Sequence, residues 1–157
     1  MKIILASDFS GYPLKETVKQ HLISSGHEVV DVGHHDDGIK VVYPEAVSNL
    51  CTEFLKGTYD RGMLFCGTGA GVSITANKFK GIYCVPCESI FTAAKCPIIN
   101  NSNVLAMGLN VVGPENACKI ADAWLDESFC KGFSPERREF IEGLFAKVQE
   151  IEEKNFK

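Results

Sequence analysis

The sequence predicts one doubly wound α/β domain built on a parallel sheet, spanning residues 1–157. Short β-branched or apolar runs alternate with longer stretches of helical period, the signature of βαβ units. Prolines stand where helices open and glycines where they close. With 157 residues, 45% of them hydrophobic, the chain can bury one core of ordinary size, whereas two would each be marginal.

The elements follow in order. Strands are expected at Ile3–Ser7, Glu28–Val32, Gly62–Cys66, Ile82–Pro86 and Val104–Met107, each short enough to be buried between helix layers. Leu14, Val18 and Leu22 mark a first helix that opens at Pro13 and closes at Gly26. Val47, Cys51, Phe54 and Leu55 mark a second, between Pro44 and Gly57, and a small-residue helix covers Ile74–Lys78. Pro114 precedes the stripe Ala117, Ile120, Ala121, Trp124 and Leu125. A last helix, Pro135–Glu152, carries Phe140, Ile141, Leu144, Phe145, Val148 and Ile151 on one side. That side needs a cover, either its own sheet or a second subunit, so a homodimer is expected.

Composition narrows the partners. Sixteen Lys and Arg stand against twenty Asp and Glu, a net charge of -4 with no basic cluster, so nucleic acid is not an expected partner. No run approaches the ~20 apolar residues of a membrane span, and Asp8 interrupts the start before a signal core forms, so a cytoplasmic protein is expected. Seven cysteines, Cys51, Cys66, Cys84, Cys87, Cys96, Cys118 and Cys130, are an odd number and sit largely in apolar runs, which reads as reduced thiols. Cys84 and Cys87 form a lone C-x-x-C that suggests redox chemistry or half a zinc site. No second pair exists, and all four histidines (His21, His27, His34, His35) lie early. No metal or cofactor is expected.

Ligands of open parallel sheets sit beyond the strand ends, which directs attention to the loops Asp8–Tyr12, Gly33–Tyr43, Cys66–Ser73 and Asn100–Asn103. The third is the most informative. Cys66-Gly67-Thr68-Gly69-Ala70-Gly71-Val72-Ser73 leaves a strand and enters a helix, with three glycines in five positions. Such a turn brings several backbone N–H groups to one anion or oxyanion. It is neither a dinucleotide fingerprint nor a P-loop, because the glycine spacing differs and no Lys follows the last glycine. Cys66, at the strand end beside this cradle and the helix start, sits where a thiolate is favoured and would serve as nucleophile or base. A nucleophilic Cys wants a His partner, and none lies after His35, although His34 or His35 would reach from the second loop. A base that takes a proton from carbon beside a carbonyl needs instead a cradle for the enediolate, and this turn offers one.

A longer set of residues carries a resemblance. Met1–Asp8, Gly11, Leu14-Lys15, Tyr43-Pro44, Cys66–Gly71, Ala76-Asn77-Lys78, Asn103–Gly108 and Val111–Gly113 fall in the order and at the spacing of the ribose-5-phosphate isomerase B and galactose-6-phosphate isomerase family, up to about residue 138. The resemblance implies a Rossmann-like three-layer α/β/α fold with a five-stranded parallel sheet and a C-terminal helix. It also implies a homodimer or tetramer with sites at the interface, and metal-free interconversion of aldose and ketose phosphates.

Carried over, Cys66 is the base, while Thr68 and the amides of Gly67, Gly69 and Gly71 stabilise the enediolate. Asp8 and Ser10 hold sugar hydroxyls, Tyr43 lines the second loop, Asn100 binds a substrate oxygen and Arg137 the phosphate. Phe9, Val72, Ser73 and Ile99 complete the substrate contacts. Apart from the resemblance, Asp8 reads equally as a helix cap, Arg137 as a solvated charge, and Asn100 as a turn residue.

The departures matter too. Phe9 and Ile99 stand where the family has histidines, the second of them ring-opening, and Asn110 and Phe133 where it has arginines; Lys40 or Arg138 are cations that would compensate. These changes fit a shorter sugar phosphate such as a tetrulose phosphate, which has no ring to open. They fit equally an unphosphorylated sugar, or a noncatalytic sugar- or anion-binding subunit.

Overall fold

The structure is a computed structural model that describes residues 1–156. In chain order it contains β1 (Lys2–Ser7), α1 (Tyr12–Ser24), β2 (Glu28–Asp31), α2 (Tyr43–Phe54), β3 (Arg61–Cys66), α3 (Ala70–Ala76), β4 (Cys84–Pro86), α4 (Ile90–Asn100), β5 (Val104–Gly108), α5 (Pro114–Leu125) and α6 (Pro135–Asn155). All neighbouring strands are parallel, in the order β2-β1-β3-β5-β4. The doubly wound parallel sheet expected from the alternating pattern, and the three-layer α/β/α arrangement that the resemblance implies, are both observed.

Strand alternation divides the core into two faces. Ile3 and Leu5 of β1 pack with α1, α4 and α5 through Leu14, Val18, Leu22, Cys96, Ile120 and Trp124. Ile4 and Ala6 pack with α2 and α3 through Ala46, Val47, Leu50, Cys51, Val72 and Ala76. Cys84 and Cys87 belong to opposite faces, as residues three apart at a strand end must.

Several boundaries differ from expectation. β4 begins at Cys84 rather than Ile82, because the Ile82 amide is used in a turn to the Phe79 carbonyl. The glycine-turn helix runs from Ala70 to Ala76, starting four residues and ending two residues before the expected Ile74–Lys78. α4 was not anticipated at all. The helix takes Ser89 as N-cap and runs through Pro97, a residue that usually interrupts a helix interior. Pro97 has no N–H to give to the Ala93 carbonyl; the Cys96 thiol donates there instead, at 3.6 Å.

α6 buries only Ile141 among its apolar residues. Its far end is tied to the start of β4: the Tyr83 hydroxyl donates to Glu152 at 3.0 Å, and Lys80 pairs with Glu153 at 2.6 Å. Phe140, Leu144, Val148 and Ile151 remain exposed within the single chain. Among the described residues no helix is long and apolar enough to cross a membrane.

A buried ion cluster anchors the second loop. The side chain of Lys15 is fully buried, 2.7 Å from Asp31, and its ammonium donates to the His34 carbonyl. Lys19 reaches the same carboxylate at 3.0 Å. Burial alone would raise the Asp31 carboxyl, but hydrogen bonds from Lys15 and Lys19 and the charge on Lys15 outweigh it, leaving the group below the ordinary carboxylate range. This stabilisation is complete above an unfolded-state value of about 4 and is lost as pH falls through the depressed folded value. Asp31→Asn should lower stability at neutral pH by about 3 kcal/mol, the low end for a broken buried pair because Glu16 still lies 3.4 Å from the Lys15 ammonium. Thermal melts between pH 7 and pH 2 should show a shallower acid loss for the variant; identical acid profiles would contradict the assignment.

Candidate active site

β3 delivers Cys66 to the carboxyl end of the sheet, and the turn after it is clamped onto the end of β5. The Leu109 amide donates to the Cys66 carbonyl and the Asn110 amide to the Gly67 carbonyl, both at 2.9 Å. The contact is so close that a methyl group at Gly108 would overlap the Thr68 backbone. Gly69 adopts φ of 79°, a left-handed conformation that glycine takes without strain, and this points its N–H back at the Cys66 sulfur, 3.1 Å away. Cys66 is left 5% exposed.

That hydrogen bond revises the expected cradle. The Gly69 amide holds the sulfur and is not a free oxyanion donor, while the amides of Gly67 and Thr68 donate to no acceptor among the described residues. The Thr68 hydroxyl oxygen accepts from the Ala70 amide at 3.3 Å, so its own proton is available to a ligand. Gly71 packs beneath the Tyr43 ring; a methyl there would lie 3.4 Å from it. Val72 is fully buried in the core behind Cys66, and Ser73 is nearly buried in the first turn of α3.

The first two loops close around this turn. Asp8 accepts from the Gly11 amide at 2.8 Å and the Ser10 hydroxyl at 2.7 Å, both on Oδ1, so it caps the start of α1 while Oδ2 accepts no bond among the described residues. The Ser10 hydroxyl and the Asn110 amide nitrogen both lie beside Gly67. The Phe9 amide donates to the Val41 carbonyl at 3.0 Å, joining the loops, and the Lys40 ammonium stands 3.8 Å from the Phe9 ring centroid. Asp8, Phe9, Ser10, Tyr43, Cys66, Gly67, Thr68, Gly69 and Gly71 therefore form one group.

Ile99, Asn100 and Arg137 do not join it. α4 runs back from the end of β4, so Asn100–Asn103 precedes β5 and lies at the amino end of the sheet, not at the carboxyl end where the sequence reading put it. Val104 is paired with Gly62 and Gly108 with Cys66, so four residues of strand, ~13 Å, separate the two levels. Ile99 and Arg137 line a common pocket with Ile98 and Phe133, and Ile99 and Asn100 border an apolar cavity of about 280 Å³ beneath α6 with Asn77, Cys84, Phe145 and Val148. The sequence-predicted site is thus split between two ends of one chain. Asn110, noted in the sequence only as a replacement, emerges as a neighbour of the turn because β5 ends where it does.

A family model described as ribose/galactose isomerase matches residues 3–141. The chain belongs to the ribose/galactose isomerase family. It is 39% identical to a 4-deoxy-4-sulfo-D-erythrose isomerase from Clostridium sp. (strain MSTE9), covering 98% of this chain and 96% of that protein. It is 36% identical to a D-erythrulose-4-phosphate isomerase from Pectobacterium atrosepticum, covering 90% and 93%. The structure of a ribose-5-phosphate isomerase B from Clostridium thermocellum superposes with a TM-score of 0.87 at 38% identity, over 98% of this chain and 99% of that one. As a member of the ribose/galactose isomerase family the chain is an enzyme, an aldose–ketose isomerase of the sugar-phosphate type.

Proposed function

We propose that this isomerase acts on a four-carbon sugar with an anion at its far end, uses Cys66 as the carbon base, and completes its site with a second copy of the chain. The observation that carries the chemistry is the turn itself: one sulfur fixed by the Gly69 amide, with the Gly67 and Thr68 amides unclaimed beside it. The Cys66 thiolate removes the proton from the carbon next to the carbonyl, and the negative charge moves onto the carbonyl oxygen, where the two amides receive it. The resulting thiol returns the proton to the adjacent carbon. The Thr68 hydroxyl carries the second proton between the two oxygens.

The chain length rests on what positions 9 and 99 cannot do. Neither Phe9 nor Ile99 can move a proton to open a cyclic sugar. A tetrose whose C4 bears phosphate or sulfonate has no hydroxyl able to close a stable ring, so it needs no such group. The relatives named for erythrulose 4-phosphate and sulfo-erythrose support the same length. The second copy is supported by the distance between Cys66 and the Ile99–Arg137 end, and by the exposed stripe on α6. A cytoplasmic location is the reading that unbridged cysteines in an enzyme of sugar metabolism support.

Incubation in deuterated water with four-, five- and six-carbon sugars bearing a terminal anion tests the reading. Deuterium should enter at the carbon beside the carbonyl most rapidly for the tetroses. Faster exchange with ribose 5-phosphate would overturn the chain length, and no exchange with any of them, despite binding, would favour a noncatalytic binding role.

A further inference from the structure

We propose that Asn77 is a positioning residue for the Cys66 turn: by fastening the far end of α3 to β4, it holds the Gly69 amide on the sulfur and the neighbouring amides in line for the enediolate. This rests on the reading of Cys66 as the carbon base. Asn77 ends α3, and its side chain makes three hydrogen bonds. Its Oδ1 accepts from the Cys84 amide at 2.9 Å, while Nδ2 donates to the Cys84 carbonyl at 2.8 Å and the Ser73 carbonyl at 3.0 Å. Cys84 opens β4, the strand at the edge of the sheet, so the carboxamide pairs with it as a further strand would. The Ser73 amide in turn donates to the Gly69 carbonyl at 3.2 Å, and the Gly69 amide to the sulfur at 3.1 Å. Gly69, Ser73 and Asn77 thus form one row along α3, running from the sulfur to the sheet edge.

A seven-residue helix closes too few of its own bonds to keep a direction unaided. The turn before it is tied to the end of β5 through Leu109 and Asn110, but between that clamp and the helix stands Gly69, which has no side chain to resist rotation. Val72 and Ala76 bury one side of α3 in the core, yet apolar contact is non-directional and lets the helix pivot. The bonds of Asn77 are directional, and they reach the sheet. Without them the end of α3 shifts by a fraction of an ångström and the turn's amides shift with it. A misplacement of about 1 Å costs roughly 10²-fold, so a loss of about tenfold is expected. Asn103 provides a contrast within the same structure. It fastens the chain before β4 in the same manner, with Oδ1 accepting from the Tyr83 amide and Nδ2 donating to the Gly81 carbonyl, both at 2.8 Å. Among the described residues none of its bonds reaches α3.

The test measures kcat, KM and inhibition on the native chain and on Asn77→Ala, Asn77→Asp and Asn103→Ala. The substrate is the anion-bearing sugar that the native chain turns over fastest, and the inhibitor is a phosphorylated hydroxamate of matching length, a mimic of the enediolate. Asn77→Asp keeps the acceptor for the Cys84 amide and loses both donations, so it reads the row through Ser73 with the strand edge still paired. Both Asn77 variants should lose about tenfold in kcat per folded molecule with KM within about twofold, and should bind the hydroxamate more weakly by the same factor as kcat. Asn103→Ala should lower the melting midpoint and keep native kcat and hydroxamate affinity. Native kcat and hydroxamate affinity in the Asn77 variants, or an equal loss of both in Asn103→Ala, would overturn the positioning role while the isomerase reading stands. A native chain that binds the hydroxamate no more tightly than the sugar would instead overturn the enediolate reading, and this assignment with it.

Discussion

Cys66→Ala should reduce turnover of the native substrate by about 10²- to 10⁴-fold, the range a positioned general base contributes. The loss should appear in kcat, because removing the sulfur leaves the Gly67 and Thr68 amides and the Asp8 carboxylate in place to bind sugar. Stability should change little. The side chain is nearly buried and small, and a loss of about 1 kcal/mol moves the midpoint of a domain this size by only about 2–4 °C. Cys84→Ser and Cys87→Ser provide the contrast. They face opposite sides of the sheet and cannot act as a pair, and burial pushes the Cys84 thiol up to about 12, so it stays protonated at neutral pH. Both variants should lose some stability from a buried hydroxyl and keep native turnover per folded molecule. Equal loss of turnover from all three replacements would contradict a special role for Cys66.

Mixing two inactive variants should restore activity. Cys66→Ala retains Arg137 and Arg137→Ala retains Cys66, and in any one chain Cys66 stands at the carboxyl end of β3 while Arg137 lines a separate pocket against α4 with Ile99. If each site draws on both subunits, random exchange between the two homodimers makes half of the dimers mixed, with one intact site apiece. About a quarter of native activity should then return, from variants that are each nearly inactive. Sites confined to single chains would give no recovery beyond the sum of the two. Sedimentation of the native protein should show a dimer or a larger even assembly in the same buffer.

The alternation of apolar runs and helical stripes showed the sheet and most helices, because burial on both faces of a parallel strand leaves a continuous apolar run that few other environments produce. α4 escaped notice because Pro97 masks it. The compensation, a thiol one residue earlier bonding the orphaned carbonyl, is a three-dimensional fact that no local pattern announces. The glycine turn was legible as a cradle through its composition, yet which amides were free was not. Only the left-handed Gly69 shows that one donor is turned onto the sulfur. Val72 follows the turn in sequence, yet helical rotation takes its side chain into the core. The placement of Asn100 failed for a simpler reason. A loop before a strand and a loop after one look alike in sequence, and missing α4 removed the clue to direction.

A crystal structure with a four-carbon hydroxamate bearing a terminal anion, a planar mimic of the enediolate, would test the central claim most directly. The account predicts the Cys66 sulfur about 3.5 Å or less from the atom that replaces the reacting carbon, and the hydroxamate oxygen about 2.7–3.1 Å from the amides of Gly67 or Thr68. A hydroxamate seated away from the sulfur, with those two amides still unclaimed, would contradict it.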